Sequence, residues 1–380
     1  SETNGLVTYD REVVKIDPAK SRAINDALDE AFRRSLGEPA RAIRVAEREI
    51  TEAISLTRSD GTLNPEAIGW SRKPFHKCNL RGRPLRKKKW DYWCITGDKF
   101  LFSATIAHVD YFSLAGMYFL EYETGRFVEK GAVKPFSSLP VMADTVEQTE
   151  RFRQWGTRFL FEQAGDRMHM SVRTGGLFGK PFAADIHIHR PPEKESLNVV
   201  IPWNRRTFQF TSKQECLAAE GRLEWGDEEF IFTPGAAYAC LDYGRGIWPY
   251  RTTWNWASFS GRSGEDEVGI NMGAKWTDGT GMNENGILLN GRLHKIHEDI
   301  LFEYDAGNFM RPWRMKTASS DTVRLEFAPF YERVSVANLL VINSRAHQVF
   351  GRYSGTLKVD GRTVPVDGLI GWAEEHRARW

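Results

Sequence analysis

The chain has 380 residues, 27% of them charged, and a formal net charge of +2 from 52 basic and 50 acidic side chains. That balance argues against a nucleic-acid binder, which carries a strong basic excess. No stretch approaches the apolar length of a membrane-spanning helix, and the length favours two domains over one core.

The first predicted element is a helix over residues 18–36. Asp17 and Pro18 suit an N-cap followed by proline at the first helical position; Ile24, Leu28 and Phe32 repeat at helical spacing, and Gly37 ends the run. The stretch from about Arg41 to Leu56 fits either helix or strand. The N-terminus lacks the charged-then-apolar pattern of a secretory leader. Arg81, Arg83, Arg86 and Lys87 to Lys89 form one strong basic cluster, read as a solvated loop.

From Leu56 to Val366 the pattern is mostly β. Lys99 to Asp110 alternates, with Phe100, Phe102, Ile106, His108 and Asp110 on one face. His108 there is either a satisfied core histidine or a general base beside a carboxylate. Met117 to Tyr122 answers that strand. Residues 158–163 and 167–173 flank Ala164-Gly165-Asp166 as a hairpin. Asp185, His187 and His189 share a strand face, a usable metal geometry, but no further ligand is identifiable and no metal site is assigned. Short strands follow at 196–202 and 207–211.

The segment from Leu241 to Gly286 is the richest. Trp248, Tyr250, Trp254 and Trp256 fall on one face of its first run, with Arg251, Thr253 and Asn255 on the other. In its second run Asn271, Gly273 and Lys275 share a face. A turn centred on Gly261 to Asp266 sets Asn255 beside Asn271 and Arg251 beside Lys275. An even slip keeps these groups together and an odd slip separates them. Two amides and two cations on one surface backed by indoles form a candidate ligand site. Asp242, Tyr243, Asp278 and Glu284 flank it. An anion between Arg251 and Lys275 is either a protein carboxylate or a ligand group.

Asn285-Gly286, Asn290-Gly291 and Asp360-Gly361 signal two-residue hairpins. His294 and His297 lack the glutamate of a zinc-helix motif, and no dinucleotide fingerprint, P-loop or nucleophile elbow is present. Cys78, Cys94, Cys216 and Cys240 form no CxxC pair and read as reduced, buried thiols of a cytoplasmic protein. The tail from Gly371 to Arg377 fits a short closing helix.

The motifs NPEAIGWSRKPFHKCNLRG (64–82), KKKWDYWCIT (87–96), ESLNVVIPW (195–203), ACLDYGRGIWPYRTTWNWAS (239–258), GAKWTDGTGMNENG (273–286) and GWAEEHRARW (371–380) resemble the family called domain of unknown function 2804, from about Glu47 to Trp380. More distantly that family is similar to the tandem-lipocalin group containing carotenoid 1,2-hydratases. The resemblance implies a mainly β chain of two lipocalin-like antiparallel β-barrels packed together. No catalytic residue carries over position by position.

The expected division is an N-terminal helical extension (1–46), a first barrel (47–212) and a second barrel (213–380) with a short C-terminal helix. The expected function is cofactor-independent acid–base chemistry on a hydrophobic or aromatic small molecule, of hydratase, isomerase or carbon–carbon lyase type. In it Asp242 or His108 moves protons and Arg251 and Lys275 hold an anion. Asn255 and Asn271 orient the substrate, and Tyr243, Trp254, Trp256, Trp276, Asp278 and Glu284 complete the binding site. The alternative is a carrier of a lipid or terpenoid, since such barrels serve both purposes. A homodimer is left open.

Overall fold

The computed structural model describes residues 47–135, 142–177, 179–339 and 342–379. The expected helical arm over 1–46 lies outside them. Among the described residues the one helical element is a 3-10 turn at Pro65–Ala67, capped by the Asn64 side chain. Three short strands open the chain: β1 (Ile54–Ser55), β2 (Trp70–Ser71) and β3 (His76–Lys77).

Two large antiparallel, barrel-like sheets follow. The first uses β4 (Lys87–Thr96), β5 (Phe100–His108), β6 (Phe112–Glu121), β7 (Phe127–Pro135), β8 (Glu150–Gln154), β9 (Thr157–Ala164), β10 (Arg167–Leu177), β11 (Lys180–His189), β12 (Leu197–Asn204), β13 (Thr207–Trp225), β14 (Glu228–Phe232) and β15 (Tyr238–Ile247). Its main path runs β7-β6-β5-β4-β15-β13-β11-β10-β9-β8. The second uses β16 (Arg251–Ser263), β17 (Asp266–Ala274), β18 (Gly286–Leu289), β19 (Arg292–Lys295), β20 (Ile300–Glu303), β21 (Trp313–Thr317), β22 (Val323–Leu339), β23 (Ile342–Val359) and β24 (Arg362–Arg379). Its order is β19-β18-β17-β16-β24-β23-β22-β21-β20. The expected division at 212/213 falls inside β13; the chain changes sheet between Ile247 and Arg251.

Local chemistry explains most turns. Asn290-Gly291 and Asp360-Gly361 carry positive φ at both positions (49° and 81°, 50° and 78°), which suits the twist of a two-residue hairpin. Asn285-Gly286 is not a turn: Asn285 is buried, accepting from the Gly273 N–H and donating to the Glu298 carbonyl. The expected closing helix at 371–377 is strand β24. Both of its faces are covered, so Trp372, Glu374 and His376 alternate with Ala373 and Glu375 at a period of two. The basic run is a loop only as far as Arg86, with Arg81 exposed. Lys88 and Lys89 are buried in β4, and Lys89 Nζ donates to the Met142 carbonyl at 2.8 Å. All four cysteines are buried and unbridged.

The two sheets meet along a buried seam. From the first sheet Cys94, Leu101, Tyr118, Leu120 and Cys240 pack against Trp256, Phe350 and Trp372 of the second. Tyr92, Tyr118 and Gln348 close a ring of hydrogen bonds across it at 2.7, 3.0 and 3.2 Å. The functional candidates sit at this seam.

Candidate functional site

Strand β13 sends Lys213 and Glu215 into the seam. Lys213 pairs in register with Asp242 on β15, so the two side chains share the face turned to the second sheet. Past Gln214 a bulge interrupts the ladder, with Cys216 at a φ of 58°. Lys213 and Glu215, two residues apart, share the seam face by ordinary pleating, and the bulge shifts the alternation beyond them. Cys216 N–H donates to Ser260 Oγ at 2.8 Å, which fastens the bulge to the second sheet. Gly269 makes room for it: a Cβ there would lie 2.7 Å from Cys216 Sγ and 2.8 Å from Glu215 Cβ.

Lys213 Nζ lies 2.9 Å from Asp242 Oδ1 and 3.2 Å from Glu284 Oε2. Its ammonium sits over the Trp256 ring at 4.6 Å. Trp276 Nε1 donates to Glu284 Oε1 at 2.8 Å, and Trp256 Nε1 donates to Asn271 Oδ1 at 2.7 Å. Asn271 in turn donates to the Glu284 carbonyl. Four indoles surround Trp248. Its ring stacks on Trp276 at 5.4 Å and approaches Trp203, Trp90 and Trp254 at 4.9, 5.7 and 5.8 Å. Trp90, Trp203 and Trp254 are only half-buried, so this end of the cluster meets solvent. Gly244 lets the Trp90 ring lie on β15, since a Cβ there would sit 2.2 Å from it.

One cation cannot neutralise three carboxyls, two of them, Glu215 and Glu284, buried and Asp242 partly so. Burial opposes the Lys213 charge, but Asp242 and Glu284 outweigh that and hold its pKa above the ordinary lysine value. Burial raises Glu284, with Asp242 adding to the rise and Lys213 opposing it. Burial pushes Glu215 up to about 8, with Lys213 opposing and Asp242 and Glu284 reinforcing the shift. Glu215 is therefore a neutral carboxylic acid near pH 7, beside an ammonium and two further carboxyls. Glu215 Oε1 and Gln209 Nε2 are buried and have no hydrogen-bond partner among the described residues. Orphaned polar atoms are costly unless a ligand uses them; Gln209 lies at the indole end of β13, against Trp248, and Glu215 six residues further along the strand.

The family model for Domain of unknown function (DUF2804) matches residues 47–380. The chain belongs to that family. Among curated proteins no sequence matches. The fold is similar to that of CghA, solved with Sch210972: TM-score 0.50 and 11% identity over 78% of this chain and 89% of that one. An AttH candidate from Nitrosomonas europaea aligns at TM-score 0.47 and 12% identity, covering 78% and 92% of the two chains. Kievitone hydratase from Nectria haematococca aligns at TM-score 0.42 and 10% identity over 78% and 90%. At 11% identity the likeness to CghA concerns the fold alone.

In this DUF2804 protein the seam brings together Asp242, Glu284, Asn271, Trp256 and Trp276, and Trp254 stands at its rim. The expected union of Asn255, Arg251 and Lys275 with Asn271 does not form. The β16–β17 turn sits at Gly264-Glu265, with Gly264 at a φ of 62° and Ser263 paired with Asp266. Asn255 therefore faces Ala274 and Ser258 faces Asn271, an odd slip from the expected register. Arg251 and Asn271 end on opposite faces of their sheet. Asn255 turns into the second barrel, where its amide donates to Tyr304 Oη at 3.2 Å. Lys275 Nζ meets the same phenol at 2.8 Å and Glu375 at 3.4 Å. Asp278 caps the turn by accepting from Lys275 N–H.

His108 and Tyr243 lie on the face of the first sheet turned away from Asp242. His108 Nδ1 accepts from Asp110 N–H. Tyr243 stacks under Arg245, whose guanidinium is fully buried and satisfied by Asp91 at 2.7 Å, Glu150 and three backbone carbonyls. That network is structural. Lys213, Glu215 and Gln209 are absent from the sequence-derived set. Their signal is two charges, Lys213 and Glu215, inside a run of otherwise buried residues.

Proposed function

We propose that this protein is an acid–base enzyme of hydratase/dehydratase or isomerase type, acting on a hydrophobic or aromatic small molecule held at the seam. Glu215 is the general acid, handing its proton to a substrate oxygen. Asp242 is the base, oriented by Lys213 and by the Thr211 hydroxyl that donates to it at 3.2 Å. Lys213 also stabilises negative charge that develops on the substrate. The half-buried indoles receive the ring system. These side chains need no cofactor for a proton shuffle or the loss and addition of water. The observation that carries this reading is a neutral, buried carboxyl with an unpartnered oxygen, set beside a lysine already paired to two other carboxyls.

Native mass spectrometry of the purified protein identifies a co-purifying ligand, and turnover assays then use that compound. Glu215→Gln is expected to lower kcat by about a hundredfold or more while ligand affinity stays within a few-fold. Unchanged turnover in that variant overturns the assignment of the acid. A ligand that binds tightly at the indoles and is never converted supports the carrier instead.

A further inference from the structure

The outer face of the first barrel carries a cluster unconnected with the seam. On the antiparallel pair β10–β11, His169 stands directly opposite His187. Asp185 precedes His187 by two residues and so shares its face. The imidazole rings stack at 4.8 Å with an interplanar angle of 19°. His169 Nε2 lies 3.0 Å from Asp185 Oδ1, and His187 Nε2 lies 3.9 Å from the same oxygen. One ligand atom from each of the three residues falls within 4.8 Å of the others.

We propose that His169, His187 and Asp185 form a binding site for a divalent metal of the zinc class. Two imidazoles and one carboxylate are a donor set that zinc accepts, with a remaining position open to solvent. Metal–ligand bonds of roughly 2.0–2.1 Å in a tetrahedron hold neighbouring ligand atoms about 3.3 Å apart. The 3.0 and 3.9 Å separations lie on either side of that distance, so small rotations of exposed side chains complete the geometry. A polar strand face alone accounts for the bond between His169 and Asp185. It does not account for His187 stacking flat on its neighbour with its own Nε2 turned to the same oxygen.

The surroundings support the site. Met168, Met170, Ile186 and Ile188, on the reverse face of the same strands, are buried in the core, so the backbone carrying the ligands is rigid. Glu162 stands opposite His169 on β9 and Glu220 opposite His187 on β13, which extends a row of acidic and imidazole groups across four strands. Arg222, the cross-strand neighbour of Asp185, pairs with Glu224 at 3.3 Å. His189 faces Glu220 at 3.8 Å and stands outside the cluster.

The test is calorimetric titration of zinc chloride into the full chain after chelator treatment and dialysis. One equivalent is expected to bind with a dissociation constant of roughly 1 µM or below. His169→Ala and His187→Ala are each expected to weaken it by about tenfold or more, whereas His189→Ala leaves it unchanged. Cobalt(II) in place of zinc should give a tetrahedral visible spectrum without a thiolate charge-transfer band, which separates this site from binding at cysteine. Circular dichroism of the metal-free variants checks that they are folded. A site no tighter than about 100 µM, or one that survives in the double variant His169→Ala/His187→Ala, overturns the proposal.

Discussion

Lys213 is a single ammonium serving Asp242 and Glu284 inside the protein, and its removal exposes the electrostatics of the site. Lys213→Met leaves the buried Glu284 and the partly buried Asp242 without a cation, a loss of about 3–5 kcal/mol at neutral pH. That loss should shrink as pH falls, because protonation removes the stranded charges; urea melts of the variant and parent at mildly acidic and neutral pH check it. Glu215 supplies a second pH effect. Its carboxyl is pushed up to about 8 in the folded chain, against 4.5 for an ordinary glutamate. Between those values the folded state holds a proton that the unfolded state has released. Its contribution to stability is therefore full below 4.5, declines as pH rises through 8, and is flat beyond. Glu215→Gln should flatten that decline, worth a few kcal/mol across the window. A slope identical in the variant would place the titrating group elsewhere. In the enzyme reading, kcat/KM also falls above the same pH, as the general acid loses its proton.

At the scale of single elements, the bulge in β13 packs Glu215 and Cys216 against Gly269 of the second sheet. Gly269→Ala drives a methyl group into Cys216 Sγ and Glu215 Cβ, and should cost about 1–3 kcal/mol. The same variant should lower turnover more than ligand binding, because it displaces the acid and leaves the indoles in place. Comparing its denaturation midpoint with its kcat and ligand affinity checks both halves. Alternation over Phe100 to His108 and over Trp254 to Ser258 is a period that side chains impose on any strand, so those strands and their faces are legible. The hairpins at Asn290-Gly291 and Asp360-Gly361 are legible because few residues tolerate positive φ twice, whereas Asn285-Gly286 carries the same signal and is no turn. Register is not: moving the β16–β17 turn to Gly264-Glu265 sends Arg251 and Asn255 to the face opposite Asn271. The same shift carries Asn271 onto the indole face, where it meets Trp256 and Glu284 rather than Asn255. Lys213 and Glu215 escaped because charged side chains on a strand read as a solvated face, and nothing in the sequence shows that a second sheet covers them. The tail escaped for a different reason: a strand covered on both faces mixes Trp372, Glu374 and Glu375 with small residues and mimics a helix.

At the scale of the whole molecule, the seam makes two sheets into one folding unit. Phe350 and Trp372 stand opposite each other on β23 and β24, are fully buried, and fill the space against Tyr92, Tyr118 and Leu120 of the first sheet. Neither barrel core needs them, since each sheet has a separate apolar cluster on its other face. Truncating them should therefore damage coupling more than either barrel. Trp372→Ala removes a large buried side chain at a cost of about 3–5 kcal/mol. With Phe350→Ala added, the two barrels should unfold in separate steps. Scanning calorimetry of the parent is expected to give one transition whose calorimetric and van't Hoff enthalpies agree. In the double variant the calorimetric value should exceed the van't Hoff value, or two peaks should appear. Trp155 is 88% exposed and serves as the control: its replacement by alanine should change stability by less than about 0.5 kcal/mol. A double variant that melts in one agreeing transition would mean that the polar ties between the sheets, such as Lys194 to Glu267 at 2.6 Å, hold them together without the aromatic seam.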